Sequence, residues 1–395
     1  PAEVFTDLRK FVRINEGILR VTTSLNISGE VTVGFSIEQV GMFDISAGSQ
    51  LLGIGDRVTV LPGGILNING GVISGSLALD TLVIFGTVNF NGGSSLLTRS
   101  MLVDFDGVLA STSDVIVSDD FTWLEGTLLG AGKLQCQGTA EISGDQKLKF
   151  MDSRRLVMDT TAQWSGSGDI LLRNGASLEV SSTGSLTISA SGALRIIEVG
   201  PTPVLSVFGQ VQILPSSTPG QALGMASVLK VNALGKVELL GRNVTNTCPA
   251  DWTCTGGQVK LNGHVIALAR ETQRFSFSGG AQLLGPGSLT KGILELNDAS
   301  VAPFEGLTVG EISATSLSSS VILDFMPSYV ASLAVERLAH LSGDLIFRTD
   351  PGFVAPSGNN VTLVSFASRS GDFVRAVGCG GLLTIDVTPT AFIAA

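Results

Sequence analysis

The stretch NGASLEVSSTGSLTISASGALRIIEV, from Asn174 to Val199, decides the fold. Apolar and small polar residues alternate for three or four positions, a Gly interrupts, and the alternation resumes. Alternation at period two places successive side chains on opposite faces of a strand. A Gly every few residues supplies turns that need positive φ or a close approach of backbone. The unit is therefore a short strand closed by a tight turn, repeated.

The same grammar extends in both directions. It returns as INGGVISG (Ile68 to Gly75), FNGGSSLL (Phe90 to Leu97), WLEGTLLGAGKL (Trp123 to Leu134), WSGSGDILL (Trp164 to Leu172) and FSGGAQLLGPGSL (Phe277 to Leu289). The intervals are unequal, as expected of a solenoid whose coils share a cross-section but differ in loop length. Composition agrees: 49 Gly, 15% charged residues and a mean hydropathy of +0.41 leave many turns and few side chains that prefer water. No stretch carries Ala, Leu, Glu and Lys at helical spacing. Tandem sandwich domains would require longer strands, clear linkers and more core aromatics than the 6% present. The expected fold is all-β, a single-stranded right-handed parallel β-helix, right-handedness being the default for parallel crossovers.

The expected organisation is an N-terminal cap or docking segment over residues 1–16, coils over 17–301, and C-terminal coils with a cap over 302–395. Pro-rich interruptions near 200–224 and the Cys-containing stretch 243–256 read as side loops.

FTWLEGTLLGAGKL (Phe121 to Leu134) and LKFMDSRRLVMDTTAQWSGSGDILLRNGASLEV (Leu148 to Val180) resemble the Trp-Gly-Gly repeat of large secreted β-helix proteins, the pectin-lyase-like and filamentous-haemagglutinin-like group. Glu125 departs from that pattern, standing where the first Gly of the pair would be. The C-terminal stretch from Leu341 to Val377 is similar to the last coils of such rods, autotransporter passenger domains included. The resemblance implies surface display or adhesion, and no more, because the fold hosts many tasks.

A net charge of -10 and a pI near 4.7, with no basic run, argue against nucleic acid and anionic membrane as partners. The longest apolar stretches are broken by Asp80, Asp386 and Pro389, so no membrane-spanning helix is expected. The chain begins at Pro1 without a leader, as expected of a processed secreted protein or a segment of a longer one. Asn26, Asn243 and Asn360 each head an Asn-x-Ser/Thr triplet, a second sign of secretion and a set of candidate glycosylation sites. Cys248 and Cys254 enclose a five-residue loop and are the candidate disulfide; four buried thiols are the alternative, and Cys136 and Cys379 are too distant in sequence to judge. Zinc is disfavoured: there is no second close Cys pair, and only His264 and His340 are present.

Three patterns hint at chemistry. MLVDFDGVLASTSD (Met101 to Asp114) mimics a phosphatase signature in which Asp104 would attack and Asp106 would act as acid, but it lies within strand-and-turn rhythm with no helices around it. Asp119 and Asp120 could supply the acid and base of a polysaccharide-cleaving β-helix enzyme with His264 as the accompanying histidine, yet the partner motifs are absent and His264 lies far downstream instead of a few coils on. GIGDRV (Gly53 to Val58) and GSGDIL (Gly166 to Leu171) are isolated fragments of a calcium-binding turn, without the tandem recurrence that binding requires. No catalytic, metal-binding or cofactor residue is assigned, and no cofactor is expected. The expected role is an extracellular structural subunit that pairs end to end with copies of itself in a fibre, appendage or coat. The alternatives are a surface adhesin or glycan-binding stalk with extracellular matrix partners and, third, a polysaccharide-degrading enzyme.

Overall fold

The computed structural model describes residues 7–21, 24–34, 41–45, 50–54, 57–68, 77–91, 95–145, 147–189, 194–196, 204–214, 228–231, 235–239, 245–248, 252–262, 265–268, 271–303, 306–314, 316–326, 329–350, 361–373, 375–377, 385–387 and 390–394. Every regular element among them is a β-strand. Nearly all pairings are parallel, each strand bonding to strands about one coil before and one coil after it, so the fold is a β-solenoid. The chain divides into two compact units, Pro1–Val204 and Leu205–Ala395.

In the first unit the interior is built from vertical ladders. Leu96, Val115, Leu134, Leu156 and Leu178 stand over one another in register, at intervals of 19, 19, 22 and 22 residues. All five are buried. A second ladder runs Val33, Val60, Ile84, Val103, Trp123, Ile142, Trp164 and Ile188. A third, on the opposing nine-stranded sheet, runs Phe43, Leu66, Val88, Leu109, Leu128, Met151 and Leu172. Burying one apolar side chain per strand on each ladder contributes about 1.5–3 kcal/mol per residue. The same strands turn their alternate residues outward, which is why four-residue strands suffice.

Loop length varies where coils turn. Val115–Trp123 is one bent strand, but the next coil covers it with two, Lys133–Cys136 and Thr139–Ile142. Gly138 sits at that break: a Cβ there would lie 1.8 Å from the carbonyl oxygen of Asp119 in the coil beneath. The spacing between coils leaves no room for it.

The second unit repeats the plan. Val211, Val237, Val259, Leu283, Val301, Val321 and Leu345 form one buried ladder. Trp252, Phe275, Leu294, Ile312 and Ala339 form another, with the first two rings edge to face at 5.5 Å. Near the C-terminus the direction reverses. Ala391–Ala394 runs antiparallel both to Ile385–Val387 and to the first half of Val361–Gly371, covering an edge that would otherwise accept another parallel strand.

In three stretches that the sequence set apart from the regular coils, the described residues form strands. Residues 7–14, within the expected cap, form a strand in unbroken parallel register with Ser24–Val33. The stretch 200–224, expected as a side loop, contains the strands Val204–Val207 and Gln210–Ile213, and 243–256 contains Thr245–Cys248 and Trp252–Thr255. Pro and Cys punctuate these stretches without removing the alternating residues that stack.

Candidate functional site

The outward face of the strands around Asp120 carries a polar concavity. Asp120, Thr122, Thr139, Glu141, Thr161 and Gln163 line a groove of about 480 Å³ on three successive coils. Register produces it: Asp120 stands over Thr139, and Thr122 over Glu141, which stands over Gln163. Thr139 donates its hydroxyl hydrogen bond to Asp120, and Ser143 donates one to Glu141 at 2.8 Å. Neighbouring Asp119 faces a different partner. Arg99 bridges Asp80 at 2.9 Å and Asp119 at 3.0 Å, one carboxylate from the coil below and one from the coil above. Asp119 and Asp120 are thus separated in role, and the carboxylate that shares the groove with Asp120 is Glu141. His264 lies outside the described residues.

Asp104 and Asp106 belong to a turn. The backbone N–H of Gly107 donates to the carbonyl of Asp104 at 2.9 Å, and Phe105 and Asp106 hold φ of 51° and 59°. Two positive φ values inside such a bond define a type I′ turn, which joins strands of the two sheets. Arg173 to Ala176 forms the same kind of turn with Asn174 and Gly175, residues that adopt the left-handed region at little cost. Glu125, where the resembled family would carry Gly, accepts an ion pair from Lys147.

Two buried cations escaped the sequence reading. Arg154 is 1% exposed and donates to the carbonyls of Ser111 at 3.0 Å, Leu129 at 3.1 Å and Lys133 at 3.3 Å, clamping three coils from inside. Burial lowers its pKa to about 10. Lys149 points inward on its strand, is fully buried, and its Nζ has no hydrogen-bond partner. Burial lowers its pKa to about 8, with Glu125, Asp104 and Asp145 pulling the other way. Only alternation counted from Met151 would have placed Lys149 on the inner face. His340 and Ser370, also unsuspected, hydrogen-bond across adjacent coils of the second unit.

Cys136 and Cys254 are buried free thiols. Burial pushes Cys254 up to about 12 and Cys136 higher still, so neither is a thiolate at neutral pH. The side chain of Cys248 and the whole of Cys379, Asn243 and Asn360 lie outside the described residues, as does the side chain of Asn26, whose backbone sits in the strand Ser24–Val33. Gly166 of the second calcium-like fragment holds φ of 83° in a turn between strands, and part of the first lies outside the described residues. Among the described residues no three His, Cys, Asp or Glu side chains gather as a metal site would require, and no helix is long and apolar enough to cross a membrane.

No protein-family model matches the chain, and no curated protein matches its sequence.

Proposed function

We propose that the chain is an extracellular structural subunit, a non-catalytic β-solenoid that assembles with copies of itself into a fibre, surface appendage or coat. The observation that supports this reading is how its exposed charge is used. Arg99 with Asp80 and Asp119, Arg20 with Asp44, Arg155 with Glu179, and Arg173 with Asp152 each join neighbouring coils. Asn89 donates to Asn67 in the same manner at 2.7 Å. Groups that an enzyme would converge on one reacting bond are distributed here along the stack, where they fix register. Individually such exposed pairs contribute only about 0–1 kcal/mol; their repetition favours one alignment of coils over its neighbours. Electron microscopy of native extracellular material labelled for this chain tests the reading: continuous fibres or layers support it, and dispersed single particles at all concentrations refute it.

The groove around Asp120 and Glu141 favours a second reading, a stalk that binds glycans through its hydroxyl and carboxylate face. Asp120→Asn with Glu141→Gln separates the two. Loss of glycan retention without change in assembly supports the stalk. Loss of polysaccharide cleavage in the same variant would make the chain an enzyme.

A further inference from the structure

The outward face of the nine-stranded sheet differs from the polar face around Asp120. Two columns of half-buried side chains run along it between Met42 and Arg173, aligned by strand register. In the first column Met42 and Leu171 are the ends, Ile65 and Phe150 come next, Thr87 and Thr127 follow, and Val108 is the centre. It carries no charge. In the second column Asp44 and Arg173 are the ends, Asn67 and Asp152 come next, Asn89 and Leu129 follow, and Ala110 is the centre. Just before the strands Val108–Ser111 and Lys149–Asp152, on the side of the first column, Phe105 is 60% and Leu148 45% exposed. Water on one face of a sheet selects polar side chains, as it does at Asp120, so a continuous apolar column marks a contact surface.

The order of these side chains identifies the occupant. Each column matches itself when reversed, and a two-fold axis along the strand direction at Val108 performs that reversal onto a second copy. In the first column it sets Met42 on the partner's Leu171, Ile65 on the partner's Phe150, Thr87 on the partner's Thr127, and Val108 on its own counterpart. In the second it sets Asp44 against the partner's Arg173 and Asn67 against the partner's Asp152. The amide nitrogen of Asn67 meets the weak acceptor Sδ of Met42 at 3.7 Å, so a carboxylate improves on its present contact. The pairs Arg20–Asp44 and Arg173–Asp152 within each copy, at 2.8 and 2.9 Å, are joined into rows of alternating sign. An axis along the stack would instead lay Met42, Phe150 and Leu171 on the partner's Asp44, Asp152 and Arg173, burying charge against apolar groups. Seven coils at ~4.8 Å and four residues at ~3.3 Å give a face of about 450 Å² per copy. With Phe105 and Leu148 at its edge, two copies bury about 1,000 Å², where specific interfaces begin. We propose that two copies pair antiparallel through this face, about a two-fold axis at Val108. The contact is isologous. It rests on the self-assembly reading above and gives that reading a lateral surface.

Sedimentation velocity of the purified full chain up to about 1 mM, the weak end of specific association, tests the pairing. Wild type is expected to pass from monomer to dimer as concentration rises. Val108→Lys places two ammonium groups on the axis and is expected to weaken the dimer at least about tenfold, with the circular dichroism of wild type. Register is read by cross-linking with a short bis-maleimide, since opposed sheets lie about 10 Å apart. Val108→Cys alone is expected to give a linked dimer above the wild-type background. Thr87→Cys and Thr127→Cys are each expected to link far less alone than when mixed. These cysteine variants change little in size, so they decide the matter even where Val108→Lys fails to fold. Association that folded Val108→Lys leaves unchanged, or a Val108→Cys chain that associates without linking, overturns this face and spares self-assembly. Thr87→Cys that links as well alone as in the mixture overturns the antiparallel register. A wild type that stays monomeric at about 1 mM overturns both the face and the self-assembly reading.

Discussion

Replacing Arg154 by Met should loosen the coils between Ser111 and Met158, and the magnitude follows from two opposed effects. The guanidinium donates three hydrogen bonds to carbonyls of the two preceding coils. A hydrogen bond to a charged group is worth about 1.5–3 kcal/mol, so three sum to roughly 4–9. Against this stands the cost of holding a cation in the interior. Its pKa falls from 12.5 to about 10, which at 1.36 kcal/mol per unit is about 3 kcal/mol. The net loss on Arg154→Met is therefore about 1–6 kcal/mol. The carbonyl of Ser111 keeps a second donor, the N–H of Gly132 at 3.2 Å, which places the outcome toward the middle of that range. Urea titration with amide hydrogen exchange is the suitable assay, because a solenoid opens locally and exchange reports which coils loosen. Faster exchange confined to strands Val108–Ser111 through Arg155–Met158 is expected. A variant as stable as wild type, or more so, would refute the reasoning and show that desolvation of the ion outweighs the clamp, as it does in some buried ion pairs.

Lys149→Met should act in the opposite direction, stabilising the first unit at pH 7 by about 3 kcal/mol, since it removes a buried charge with no hydrogen-bond partner. The folded pKa of about 8 lies below the unfolded value near 10.5, so the unfolded chain binds more protons between them. Wild-type stability should rise with pH across that window while the variant's stays level; parallel pH profiles from thermal melts would contradict the assignment. Gly138→Ala forces a Cβ to within 1.8 Å of a carbonyl oxygen and should cost about 3 kcal/mol or more, whereas Gly280→Ala meets nothing within 4 Å and should cost only the left-handed backbone, about 1–2 kcal/mol. Equal losses in denaturant titrations would remove the argument from coil spacing. Phe105→Asn should raise the stability of the monomer by about 1 kcal/mol by relieving the type I′ turn, and a lower melting temperature would show that the ring's contact with Phe85 matters more than the strain.

Much of the fold was legible because stacking imposes a local rule. A strand that must bury one face and meet water on the other alternates, and a coil that must turn against its neighbour uses Gly, so Leu178 and Val180 could be placed inside from their own segment. The candidate groups were less legible. Asp119 and Asp120 are adjacent in sequence, and adjacency suggested a catalytic pair. A bulge in register near Arg99 instead sends one to an ion pair and the other to a groove. Glu141 joined that groove by lying one coil away, a relation that no short motif records. Phe105 read as part of a phosphatase-like phrase, and its exposure emerged only from the turn.

The sequence by itself determined that the chain is a stack of short parallel strands with aliphatic ladders inside, because alternation and Gly spacing are properties of single segments. Only the tertiary structure decided which segment lies over which. The coil length steps from 19 to 22 residues without a sequence marker, and a change of one residue in that interval would pair different outward side chains. The clamp at Arg154, the unpartnered amine of Lys149 and the groove of Asp120 with Glu141 depend on that register. They are long-range coincidences in a fold whose local grammar is almost uniform.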